Sequence, residues 1–363
     1  MKIHLVTTYY APFIEDFLKR NPNVLTMGYN EILKLILSEF FADTGSFFYW
    51  LKEKKCETFM SIGNFELLQK QWAKENNFAF SDNWKLEILA AQIKNFKADI
   101  LYNENIFQFD GDFLSPLKGS VKKMVTWLSC PFDKNTLNIK NIDLVLSSTK
   151  NYVDSFNEAG IKSTYLLPAF DKRILEKLGD KKDIDFSFVG GISEVHINRF
   201  EALTTLSKRT PIKIWGYGLP EKKGNPLKRM FGPKDPYKKL RSVHNGEAWG
   251  IEMYKILKRS KITFNIHEAL LKGDVGNMRM FEATGCGSML LNDNGGNLSD
   301  VFEPGKEIEV YNNMNEAIEK VEYYLKHPEK ANQIAMNGQK KTIEKYNYEN
   351  YVSTQLHLFE TIL

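Results

Sequence analysis

A chain of 363 residues is longer than one ordinary hydrophobic core requires, and two domains are expected. With 43% hydrophobic and 26% charged residues the composition is globular, and a formal charge of only +4 without any nucleic-acid motif excludes a general nucleic-acid binder. Three scattered cysteines (Cys56, Cys130, Cys286) exclude a disulfide framework and a cysteine metal site.

The opening residues Met1 to Val6 carry no long apolar signal stretch. No run approaches the ~20 apolar residues of a membrane span. A cytoplasmic location is expected. Ile3 to Val6 reads as a first strand. Ile32, Leu33, Leu35, Ile36 and Phe40 recur at a helical period within 28–41, and a second helix is expected over 47–55. Strands follow at 57–62, 99–102, 122–128, 143–147 and 163–167. Helices are expected at 65–75, 84–96 and 150–159, the last stopped by Gly160. The alternation predicts a parallel α/β layer. His4, on the first strand, reads as a core residue.

Pro168 to Asp171 and the lysine-rich stretch to Asp183 read as a crossover. A second series then begins, with strands at 184–189, 212–215, 262–266 and 308–311. Helices are expected at 194–208, 254–259, 314–326 and 328–346, and a last one at 350–363. Between Leu219 and Arg241, Lys222, Lys223, Lys228, Arg229, Lys234, Lys238, Lys239 and Arg241 face only Glu221 and Asp235. Such a basic, proline-broken segment suits an anionic membrane surface or an anionic acceptor, or is simply solvated.

Open α/β sheets bind ligands beyond the carboxyl ends of their strands. In the second series those ends are Gly190-Gly191-Ile-Ser193, Trp215-Gly216-Tyr217, and Asn265-Ile-His267-Glu268. Gly190 and Gly191 allow close approach of backbone to a phosphate. The stretch 276–293 reads as a short helix, a glycine stop and a buried strand. Asn277 can cap its start and Gly285 and Gly287 bracket its end. A helix N-terminus with Arg279 in its first turn suits a diphosphate. Glu282, three residues on and on the same face, can accept two hydrogen bonds from a vicinal diol such as a ribose. No G-x-G-x-x-G or phosphate-loop motif is present.

Arg279-x-Phe281-Glu282-Ala283, the glycines after it, the strand and the Gly295-Gly296 turn resemble the C-terminal half of GT-B glycosyltransferases. They are similar in particular to the group-1-like branch that includes the CgeB-type spore-maturation proteins. The resemblance is good from Gly246 to Tyr351, weaker over 141–191 and vague before that. It implies two Rossmann-like domains facing across a cleft: residues 1–168 on the acceptor side, joined by a returning C-terminal helix at 350–363, and residues 169–349 binding a nucleotide sugar. It further implies transfer of a sugar, of hexosyl type, to a glycan, lipid or protein acceptor in cell-surface glycan biosynthesis, without a metal or cofactor.

The implied donor-binding residues are Gly190, Gly191, Ser193, Trp215, Gly216, Tyr217, Asn277, Arg279 and Glu282, with Trp215-Gly-Tyr-Gly218 resembling the loop that meets the base. The implied catalytic residues are His267, Glu268 and Arg279. The interval from Glu268 to Glu282 is wider than that between the two glutamates usual in the family. Two rival readings stand beside this one. Asp110-Gly-Asp112 has the form by which GT-A enzymes hold a divalent metal, although it is also a common turn. A non-catalytic sugar-nucleotide or glycan binder could share the fold. Glu104, Asp110, Asp112, Asp133 and Trp127-Leu-Ser-Cys-Pro-Phe-Asp133 are open to an acceptor-side role.

Overall fold

The structure is a computed structural model that describes residues 1–133, 135–192, 197–219, 237–267 and 273–363, with Ile197 described by its backbone alone. The chain divides into two compact units. Unit 1 is Met1–Asp171 with Asn347–Leu363, and unit 2 is Lys172–Tyr346.

Unit 1 is built on six parallel strands, β1 (Lys2–Thr7), β2 (Glu57–Ile62), β3 (Ile100–Asn103), β4 (Lys123–Trp127), β5 (Leu144–Ser147) and β6 (Ser163–Tyr165). They lie in the order β2-β1-β3-β4-β5-β6. Strand β5 is buried at every position, the pattern of a strand covered on both faces. Leu89, Leu101, Phe109, Leu117 and Val145 meet in one core beneath these strands. The helix Ala11–Arg20 is not among the expected elements. Pro12 looks like a breaker, yet it lies in the first turn, where its missing N–H costs nothing. The final helix, Tyr348–Glu360, packs on unit 1, with the Tyr351 ring 5.9 Å from Phe47 and the Phe359 ring 6.2 Å from Tyr102.

Unit 2 has five parallel strands, β7 (Ile184–Val189), β8 (Ile212–Trp215), β9 (Ser260–Asn265), β10 (Met289–Asp293) and β11 (Glu309–Tyr311). Their order is β11-β10-β9-β7-β8. The direction of winding reverses between β7 and β9, so the crevice for a ligand lies beyond their carboxyl ends. Phe186, Phe188, Phe264, Leu291 and Tyr311 form the core with the flanking helices Ile197–Arg209 and Met314–Lys326. The long helix Pro328–Lys345 packs on Met278–Gly285, and a Cβ on Gly338 would come 2.2 Å from the Glu307 carbonyl oxygen. Only glycine fits there.

Candidate functional site

At the β7/β9 reversal the loops after β7, β8 and β9 converge. Gly190 N–H donates to the Trp215 carbonyl (2.9 Å) and Ile192 N–H to the Tyr217 carbonyl (2.8 Å). A Cβ on Gly216 would come 1.8 Å from the Gly190 oxygen, and one on Gly191 would come 2.8 Å from the Tyr217 ring. The loops after β7 and β8 thus interlock at Gly190, Gly191 and Gly216. Tyr217 stacks on Trp249, centroids 5.4 Å apart. Trp215 is half-buried at the end of β8. Ser193 and Glu268 lie outside the described residues, as do residues 220–236 of the basic segment. Of that segment, the helix Lys238–Val243 is described, with Lys238 and Lys239 exposed.

The helix Met278–Gly285 begins as expected. Asn277 is its cap, accepting from Met280 N–H at 3.3 Å. The helix ends on a Schellman motif. Gly287, at φ +75°, donates to the Thr284 carbonyl, and Ser288 N–H reaches back to Ala283. Gly285 remains helical, so the two glycines have different roles.

Arg279 and Glu282 are each other's partners, Nη1 to Oε2 at 2.8 Å. The pair is not the exposed surface bridge that spacing alone suggests: Glu282 is 6% exposed. Its other oxygen accepts from the Tyr254 hydroxyl at 3.2 Å. Burial, and then the Glu282 charge, push the Tyr254 phenol well above its usual range, so it stays a donor. Each carboxylate oxygen keeps a second lone pair. The Arg279 contacts to Glu282 and to Met253 sulfur (2.9 Å) both run through Nη1, and the guanidinium carries further N–H donors.

His267 has both ring nitrogens engaged. Nδ1 lies 2.7 Å from Asp293 Oδ1, while Nε2 accepts from the backbone N–H of Gly276 (3.1 Å) and Asn277 (3.3 Å). Backbone N–H groups only donate, so Nε2 bears the lone pair and Nδ1 the proton that goes to Asp293. The second Asp293 oxygen accepts from His267 N–H at 2.9 Å. With no ring position left, the histidine is a clamp on the helix start. This arrangement stands beside the part in the chemical step that the resemblance implies for it. Its physical cause is the pairing of β9 with β10, which brings Asp293 beside it.

The sequence reading missed the amides beneath the helix start. Asn265 and Asn277 exchange hydrogen bonds at 3.0 and 3.1 Å, and Asn265 also donates to buried Asn292 at 2.6 Å. The signal was a polar residue closing an apolar strand, in Ile262-Thr-Phe-Asn265 and Leu290-Leu-Asn292. Arg199, in the first turn after β7, was also missed. It donates to the Gly191 carbonyl at 3.0 Å, and its charge is felt by the Tyr311 phenol. Tyr311 in turn donates to the Asn265 carbonyl at 2.9 Å.

Asp110 has a local backbone role. It caps the helix Gly111–Leu114, accepting from the N–H groups of Asp112 (3.0 Å) and Phe113 (3.1 Å). Among the described residues no group of three or more His, Cys, Asp or Glu could hold a metal ion. None of their helices is long and apolar enough to cross a membrane. His4 is a core residue, 0% exposed, bonded through Nε2 to Ser61 at 2.8 Å.

Residues 197–357 match the model of the glycosyl transferase-like family. Spore protein CgeB of Bacillus subtilis (strain 168) is 23% identical over 295 residues, 77% of this chain and 90% of that protein. Among solved structures, Anabaena HepE in complex with UDP-glucose is similar over 99% of this chain and 100% of its own, with a TM-score of 0.63 at 12% identity. A glycosyltransferase from Rickettsia africae gives 0.58 at 12% identity over 99% and 98%. Sucrose-phosphate synthase from Thermosynechococcus elongatus gives 0.58 at 10% identity over 100% and 99%. Two parallel α/β units, a helix returning to the first, and these likenesses give the chain the GT-B fold and support a group-1-like glycosyltransferase similar to CgeB.

Proposed function

We propose that the chain moves a sugar, of hexosyl type, from a nucleotide-sugar donor to a glycan, lipid or protein acceptor without a metal. The observation that carries this is the buried Arg279–Glu282–Tyr254 assembly on a helix whose start is clamped at the carboxyl end of β9. Glu282 would take the ribose diol on its remaining lone pairs. The Met278 and Arg279 amides, which a helix leaves without an intrahelical acceptor, would meet the diphosphate. Gly190, Gly191 and the Arg279 guanidinium would complete that cradle and stabilise the departing diphosphate. Trp215, Gly216 and Tyr217 would contact the base. Glu268 would act in the chemical step, as the resemblance implies. HepE, with which this chain shares its fold, has been crystallised with UDP and with UDP-glucose, which supports a uridine donor. The basic segment 222–241 would supply counter-charge to an anionic acceptor or to the inner membrane face.

Calorimetry with a panel of nucleotide sugars in EDTA, followed by product analysis, tests the proposal. One donor is expected to bind, and Glu282→Ala is expected to weaken that donor by about 1–3 kcal/mol, the scale of a lost bond to a charged group. Equal affinity in a folded variant removes Glu282 from the site. Binding without any transferred product supports the non-catalytic reading. Turnover that needs Mn²⁺ overturns the metal-free one.

A further inference from the structure

The chain enters the helix Met278–Gly285 through residues 273–277, and the turn at 293–297, which follows β10, holds that entry at several points. Asn297 is the centre of the hold. Its Oδ1 accepts from Val275 N–H and its Nδ2 donates to the Val275 carbonyl, both at 2.8 Å. Gly296 N–H donates to the Gly273 carbonyl at 3.1 Å. Asp293, at the head of the same turn, fixes His267, whose Nε2 accepts from the N–H groups of Gly276 and Asn277. Asn297 and Val275 are 4% and 2% exposed, so both bonds between them are shielded from water.

Two features set this hold apart from ordinary turn chemistry. Asn297 stands at the N-cap of the helix Leu298–Val301, where an asparagine ordinarily accepts from first-turn N–H groups. Its side chain makes no such cap bond and reaches instead to Val275, 22 residues away in sequence. Gly295 is pressed against the same segment. A Cβ there would come 2.5 Å from Val275 Cγ1 and 2.6 Å from the Gly273 carbonyl oxygen. Bonds to both the N–H and the carbonyl of one residue fix the two peptide planes that flank it. Val275 cannot rotate without leaving a buried group unpaired. Gly276 and Asn277 are thereby delivered to His267, and the helix starts in one direction.

We propose that Asn297 is a positioning residue for donor binding, which aims the Met278 and Arg279 amides at the diphosphate by acting through Val275. The assignment rests on the nucleotide-sugar reading above. The helix-start amides have no intrahelical acceptor, so their direction is set by the chain that leads into them. The ribose end is held independently, because Glu282 takes its place from Arg279 and Tyr254. Displacing residues 273–277 therefore costs the diphosphate contacts and spares the nucleoside. The side chain must be an amide, since it offers one donor and one acceptor together. A carboxylate has no donor, and its oxygen would face the Val275 carbonyl with like charge.

The test is binding of UDP by calorimetry and of uridine by saturation-transfer NMR, both to the full chain. Two variants disturb the hold from its two sides. Asn297→Asp keeps the shape of the side chain and removes its donor, and Gly295→Ala drives a methyl group into Val275 and Gly273. Each should weaken UDP about tenfold, the scale of a buried group left without its partner, and uridine by less than about twofold. Combined, they should weaken UDP by clearly less than the product of the two effects, because both act through one segment. Circular dichroism reports folding, and if Asn297→Asp does not fold, Gly295→Ala decides alone. Equal loss of UDP and uridine marks a purely structural residue and overturns the assignment, as does wild-type UDP affinity in the folded variants. A wild type that binds neither ligand overturns the nucleotide-sugar reading itself, and this assignment with it.

Discussion

At the scale of single residues, two histidines that look alike in sequence are held in opposite ways. His4 donates through Nε2 to Ser61, which passes its own proton to Gln92 at 2.6 Å. Its Nδ1 is buried without a partner among the described residues, and burial lowers the imidazole from 6.5 to about 3. The unfolded chain therefore binds a proton between those values that the folded chain refuses. Stability from this group is complete above about 6.5 and is lost as pH falls toward about 3, by up to ~1.4 kcal/mol per pH unit. We expect the stability difference between wild type and His4→Asn to shrink by about 2 kcal/mol between about pH 7 and pH 5 in urea unfolding. Parallel pH profiles would show that His4 titrates normally. His267 instead links Asp293 to two backbone amides, so His267→Ala is expected to cost about 1–3 kcal/mol of stability as well as donor affinity. Lost turnover with unchanged stability and affinity would return it to the chemical step.

At the scale of elements, the helix Met278–Gly285 is a device assembled from its two ends. Its start was legible because Asn277 precedes the helical run, and its stop because glycines follow. Which glycine turns left-handed was not legible, since Gly285 and Gly287 both satisfy the pattern. The geometry selects Gly287, where an added Cβ would also meet the Gln339 amide at 3.0 Å. Gly287→Ala is therefore expected to destabilise unit 2 by about 1–2 kcal/mol. Gly285→Ala, within the helix, should be milder or even favourable. Equal effects in thermal unfolding would contradict the Schellman assignment.

At the scale of the molecule, the last helix belongs to the first unit. Asn347 caps it by accepting from Asn350 N–H, and Tyr351, Val352 and Phe359 are buried. Removing residues 347–363 is expected to uncover Phe47 and Tyr102 and to make unit 1 sensitive to limited proteolysis. Unit 2 should stay resistant because its own core is complete. Equal sensitivity of both units would show that the helix stabilises more than unit 1.

What the sequence by itself determined is local. Alternating apolar runs fixed the strands, the helical period fixed most helices, and Arg279 with Glu282 marked the element on which the family resemblance rests. These signals lie within one or two turns of chain, where spacing alone decides which side chains share a face. The tertiary structure decided the partners. Tyr254 meets Glu282 across 28 residues and Asp293 meets His267 across 26, contacts that exist only because β9 lies between β7 and β10. Strand order is set by how whole layers bury their faces, and no spacing rule reports it. For the same reason His267 read as a reactive group at a strand end, and only the packed sheet showed that both its nitrogens were already taken.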